Sequence, residues 1–212
     1  PHAKTFFNDY VYPIVIDQDI TENITTNNDD GSQSGTTTWS ANYTANYHYV
    51  SNGWRPGYRF QTVALDNAVT IDDATLSVNV ASESGAPAGT IFGNDVDDAP
   101  AWANNAGPAN MTPTTASAAI SFNNPGARNT VVTSIIQEIV DRAAWVSGAD
   151  LALGVQGTVA SAFAYVWDSN SGTPANDPVL TINYTAAGGA PVGRLVGGKL
   201  LRGGLLRGGR LQ

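Results

Sequence analysis

The chain reads as an all-β protein: an antiparallel β-sandwich with one short helix and an extended arm at each end. Three observations carry this reading. Apolar and polar residues alternate at period two along most of the sequence, as where Leu76, Val78 and Val80 interleave with Thr75, Ser77 and Asn79, which is the mark of strands buried on one face. A single segment breaks the pattern, with Val132, Ile135, Ile136, Ile139, Val140 and Ala143 recurring at helical spacing to form one apolar stripe. The third is composition: hydrophobic residues make up 42% of the chain, enough for the core of one domain, while charged residues make up 13%, about half the usual share. Such a surface is kept in water by amides and hydroxyls.

At the N-terminus, Phe6, Phe7, Tyr10, Val11, Tyr12, Ile14 and Ile16 form an apolar stretch. It is expected to pair as an added strand, either on its own sandwich or on a neighbour's exposed edge. A polar loop, Thr21–Thr38, follows. Residues 1–34 are therefore read as arm and loop, residues 35–186 as the sandwich, and residues 187–212 as a C-terminal arm. Next come the aromatic residues Trp39, Tyr43, Tyr47, Tyr49 and Trp54, the tyrosines sharing strand parity. Such rings fill a core or a subunit interface, or they stack on sugar rings. His48, between two of the tyrosines, is expected to face solvent. No Gly-x-Ser-x-Gly elbow accompanies it, and His2 is the only other histidine.

Further along, Asp95, Asp97 and Asp98 beside Asn94 offer hard oxygen ligands for a structural calcium. The plainer reading is a solvated acidic loop. The helix over about 133–142 is expected to be capped by Thr133 or Ser134, with Ser134 and Gln137 forming a capping box. Its charged residues Glu138, Asp141 and Arg142 are expected to be a solvated face. Leu151, Leu153 and Val155, then Phe163, Tyr165 and Trp167, and finally Leu180, Ile182 and Tyr184 each share one strand face. Turn clusters at Gly85–Gly89 and Ser169–Gly172 separate strands.

Parts of this stretch resemble the DNRLRE-type jelly-roll domain. The likeness rests on Thr133–Arg142 followed by Trp145, Ser147-Gly148 and Leu151-Ala152-Leu153, and on a closing strand Pro178–Tyr184. Tyr58-Arg59-Phe60 and Ile71–Leu76 are similar to its first core strands, and Trp102–Asn105 matches its tryptophan-asparagine element loosely. The resemblance covers about residues 35–186 and implies a jelly-roll sandwich. Domains of that type occur as carbohydrate-binding or cell-surface modules and in tailed-phage structural proteins.

The C-terminal twenty residues are unlike the rest. Glycine pairs at Gly197-Gly198, Gly203-Gly204 and Gly208-Gly209 alternate with leucines and cations. Each glycine in a helix interior costs about 1 kcal/mol relative to alanine, so a stable helix is not expected, and glycine pairs also interrupt strands. Five of the ten cations lie here, and all 18 acids lie upstream, so a body of formal charge −13 is joined to an arm of +5. The expected role is an arm docking on another subunit through Arg194, Leu195, Lys199, Leu200, Leu201, Arg202, Leu205, Leu206, Arg207, Arg210 and Leu211. A disordered cationic extension or a cloning scar is the alternative.

The function expected from these features is a non-enzymatic structural protein of a tailed-phage virion, a decoration, neck, tail or fibre component. Other virion subunits would be its partners, homo-oligomer contacts among them. The alternative is a carbohydrate-binding surface module of a secreted bacterial protein, with a cell-surface glycan as ligand. The acidic body has no basic stripe for nucleic acid, and no run of about 20 apolar residues for a membrane. With no cysteine, disulfides, thiolate catalysis and cysteine-ligated zinc are excluded together. The opening Pro1-His2-Ala3-Lys4 lacks a charged and then apolar leader and is read as an unexported start, consistent with assembly in a host cytoplasm; the carbohydrate-binding alternative would be extracellular.

Overall fold

The computed structural model describes residues 17–41 and 46–186, together with the backbone of two short strands, Arg194–Val196 and Lys199–Leu201. The apolar stretch Phe6–Ile16, Tyr43 and the arm residues Arg202, Leu205, Leu206, Arg207, Arg210 and Leu211 lie outside the described residues.

Residues 17–187 form one compact unit, an all-β antiparallel jelly-roll sandwich with one α-helix among its described residues. Its strands are β1 (Asp17–Asn23), β2 (Asp30–Ser34), β3 (Thr38–Ser40), β4 (Tyr47–Ser51), β5 (Trp54–Phe60), β6 (Thr70–Ser84) and β7 (Ala88–Asn94). Then come β8 (Pro113–Ser121), β9 (Gly126–Val131), the helix α1 (Thr133–Val140), β10 (Leu151–Gly157), β11 (Phe163–Trp167) and β12 (Val179–Thr185). The sheet begins at Asp17, so β1 and β2 occupy residues that the sequence assigns to arm and loop. β1 runs antiparallel to β12 from Asp17↔Thr185 to Asn23↔Val179, and β2 sits between β3 and β5. Polar composition misled here because Asp30, Ser32 and Gln33 are buried and hydrogen-bonded, where hydropathy alone predicts a loop.

The fifteen-residue β6 holds the sandwich together. Thr75–Ser77 pairs with both β9 and β12, which must therefore lie on opposite edges. Farther along, Val80–Ser84 pairs with β11. One strand thus serves both halves of a curled sheet, and irregularities at Asn183/Tyr184 and Tyr165/Val166 accommodate the bend. From β11 the sheet continues through β4, β5, β10 and β7 to β8.

Inside lie Leu76, Val78 and Val80 of β6 with Leu180, Ile182, Ile91, Leu151, Leu153, Phe60 and Val166. Each such side chain contributes about 1.5–3 kcal/mol when fully buried. The helix closes one side with Ile135, Ile136, Ile139 and Val140, all buried. Its expected cap does not form. Val132 stands at the N-cap position without a side-chain bond. The Thr133 hydroxyl instead accepts the Ala74 amide at 2.9 Å. Gln137 accepts the Ile71 amide and donates to the Val69 carbonyl. Both side chains tie helix to sheet, and that tertiary use displaces the local capping box. The expected solvated face is likewise engaged: Glu138 accepts the amides of Thr115 and Ala116 at 2.7 Å each.

A second, smaller core covers the outside of β2, β5 and β10. Gly31, Gly57 and Gly154 align across those strands, and Trp102, Trp39 and Pro108 press onto the bare backbone. A Cβ on Gly57 would lie 2.4 Å from Pro108, so only glycine admits this layer.

Beyond the sandwich, Arg194–Val196 pairs with Lys199–Leu201 in an antiparallel ladder flanking Gly197-Gly198.

Candidate functional site

The outer face of β4 and β11 carries a row of aromatic rings. The two strands pair Tyr165↔Tyr49 and Trp167↔Tyr47, and side chains alternate across a strand, so odd-numbered residues of both point the same way. His48, Val50, Ala164 and Val166 fill the buried side. Trp54 joins from β5 through the Ser51↔Trp54 pair that closes a tight hairpin. Six rings result: Tyr47, Tyr49, Trp54, Phe163, Tyr165 and Trp167, every one half-buried.

These rings touch one another. Tyr47 lies 4.5 Å from Trp167 and 6.0 Å from Tyr165, centroid to centroid. Tyr49 stacks on Phe163 at 5.7 Å and 26°, and meets Tyr165 at 5.4 Å and Trp54 at 6.0 Å. Ser82 and Ser84 of β6 continue the face beside Tyr165 and Phe163. The patch is apolar, rimmed by hydroxyls, and contains no charge of its own.

Of the five aromatics singled out from sequence, Tyr47, Tyr49 and Trp54 belong to this face. Trp39 does not: it packs on Trp102 at 5.6 Å, and Trp102 donates to the Asp29 carbonyl at 3.1 Å. The structure adds Phe163, Tyr165 and Trp167. Their shared parity is visible in the sequence, but the pairing of β11 with β4, across more than a hundred residues, is not.

Directly beneath the rings lies a buried polar cluster. His48, expected to face solvent, is fully buried, and its Nε2 lies 3.0 Å from the Asp30 carboxylate. Asp30 also accepts the Ser169 amide and hydroxyl at 2.7 and 2.8 Å. Asp30 cannot be left in a core without donors, so histidine and serine are drawn inward to it. The serine hydroxyl is directed at Asp30. Burial pushes the Asp168 carboxyl up, with the His48 charge opposing that shift. Burial, with Asp30 nearby, pushes the Tyr58 phenol well above its ordinary range. Among the described residues, the Tyr58 hydroxyl and His48 Nδ1 have no hydrogen-bond partner.

Two other acidic groups are held by arginine. Arg142 bonds Asp95 at 2.5 Å and Asp97 at 2.7 Å, and Asp98 accepts the Asp150 amide at 2.9 Å. In the structure the carboxylates weighed as calcium ligands thus bond a cation and a backbone amide. Arg59 joins Asp29 and Asp150 in a second, more deeply buried network. No known protein family matches the chain, and no curated protein does either.

Proposed function

We propose that this chain is a non-enzymatic structural subunit that joins a larger assembly, in the setting of a tailed-phage virion, and that the aromatic face of β4 and β11 is one of its contact surfaces. The observation that carries the reading is the six-ring patch itself. Tyrosine and tryptophan are enriched where proteins bind proteins, because each supplies a large rigid area at small entropic cost. Here the rings are half-buried against one another and meet at angles from 26° to 89°. A partner surface with matching relief can interdigitate with such a patch, whereas an extended sugar chain favours coplanar ring faces.

The Tyr49–Phe163 stack, the flattest part of the patch, favours a second reading as a carbohydrate-binding module. One experiment separates the two. Tyr47→Ala and Trp167→Ala remove rings from the solvent face and leave the core side chains in place. Under the structural reading both variants stay folded but sediment as smaller species than the parent at equal concentration. Under the carbohydrate reading, assembly is unchanged and binding to a panel of bacterial surface polysaccharides, followed by tryptophan fluorescence, is lost. Unaltered assembly together with no glycan response in the parent chain would remove this face from both.

A further inference from the structure

The curled sheet ends on two strands that face each other without pairing. β8 bonds β7 along one edge and β9 bonds β6 along one edge. Among the described residues, neither has a strand on its other edge. An open slot of about 460 Å³ lies between them, walled by Ala118–Ser121 and by Arg128–Val131.

Unpaired edges usually carry a defence against further pairing: a lysine, a proline, a bulge or mere shortness. β8 is nine residues long and uncharged, and its proline is its first residue. Its irregularity and the Glu138 carboxylate also sit toward that first half. Ser117–Ser121 is left undefended. Ala116 and Ala118 pack against the core, and Val131 on the facing strand is 62% exposed.

We propose that the slot accepts a β-strand, residues Phe6–Tyr12 of a second copy of this chain, added along β8 with its side chains against β9. The run Phe-Phe-Asn-Asp-Tyr-Val-Tyr is rich in strand formers and lacks glycine. Pro13, which cannot donate to a ladder, ends it. Charge fits as well. Asp9 is the only charged residue of the run, and Arg128, in the slot wall, bonds the carbonyls of Ala127, Asn123 and Asn124 and no carboxylate among the described residues.

Distance selects a second copy over the same chain. Asp17 lines up with Thr185 and Thr70, whereas Val131 lines up with Thr75. From β1 to β9 the chain must pass β12 and β6, roughly 14 Å sideways and 17 Å lengthwise at ordinary strand spacings, which takes about seven residues. A strand returning to its own slot would leave Tyr10–Ile16 stretched over the surface. A neighbour delivers the whole run. This contact is separate from the aromatic face and stands whether that face binds protein or glycan.

The chain has no cysteine, so introduced pairs report cleanly. One chain carries Ala119→Cys; the other carries Phe7→Cys, Asp9→Cys or Val11→Cys; the two are mixed and oxidised. The expected result is a disulfide-linked dimer with at least one of the three, and none when the exposed Val146→Cys replaces Ala119→Cys. A chain bearing both cysteines that closes on itself, while the mixture yields no dimer, assigns the strand to its own slot and overturns the second copy. No bond in either format overturns strand addition altogether, and equal bonding to Val146→Cys reduces it to chance collision.

Discussion

Arg59 is 8% exposed, and the carboxylate it holds, Asp29, is 2% exposed. Its guanidinium also reaches Asp150 and the Ala99 carbonyl, while Asp150 takes the Thr62 amide. One side chain therefore fixes the loops before β2, before β10 and after β5. Removing a single member of such a network strands a buried charge, at a cost of about 3–5 kcal/mol. Arg59→Met is expected to lose stability on that scale in urea denaturation, and adding Asp29→Asn should recover part of the loss. A loss below about 1 kcal/mol, typical of a surface pair, would mean water reaches the site. Asp168 carries a pH signature. Its carboxyl is raised chiefly by burial, so the folded state binds its proton more tightly than the unfolded chain does. Stability from this residue is full below the ordinary aspartate range and falls as pH rises through the raised value. Asp168→Asn should therefore gain on the parent as pH rises above the ordinary aspartate value of about 4. Parallel urea midpoints for the two proteins across that window would sink the assignment.

At the scale of elements, α1 distinguishes a local rule from a tertiary one. A helix-capping serine is worth about 0.5–2 kcal/mol, but here no side chain caps the helix, and Thr133 holds the Ala74 amide. Ser134→Ala is expected to leave stability within about 0.5 kcal/mol, as for ordinary surface changes. Thr133→Val leaves an amide unpaired and should cost about 1–3 kcal/mol. The reverse ranking in thermal or urea unfolding would restore the cap. The same element shows what sequence could reveal. Its position was legible because Ile135, Ile136 and Ile139 impose a period of their own, as Leu76, Val78 and Val80 do for β6. β2 was illegible, since Asp30, Ser32 and Gln33 are buried by partners that lie far along the chain. Half of the aromatic face was legible in β4 and β5 and half in β11. Joining them required the long-range ladder Tyr49↔Tyr165, which leaves no trace in either segment alone.

For the whole molecule, the segregation of charge remains to be explained: 18 acids and five cations upstream, and five cations with no acid in the last twenty residues. Strands Arg194–Val196 and Lys199–Leu201 form a two-stranded ladder, and a lone hairpin of that size is at best marginally stable in water. We propose that it gains stability by laying leucines on a neighbouring copy, whose acidic body would also attract its cations. Salt divides the two contributions. Attraction between exposed charges is largely screened near 1 M, where the Debye length falls to about 3 Å. Burial of apolar area contributes roughly 25 cal/mol per Å² with no such screening. The expected outcome is that residues 1–192 assemble less well than the full chain at low salt and near 1 M alike, as read by analytical ultracentrifugation. Equal assembly of both would remove the arm from the interface. A deficit that vanishes at high salt would leave the arginines as its whole contribution and the leucines without a role.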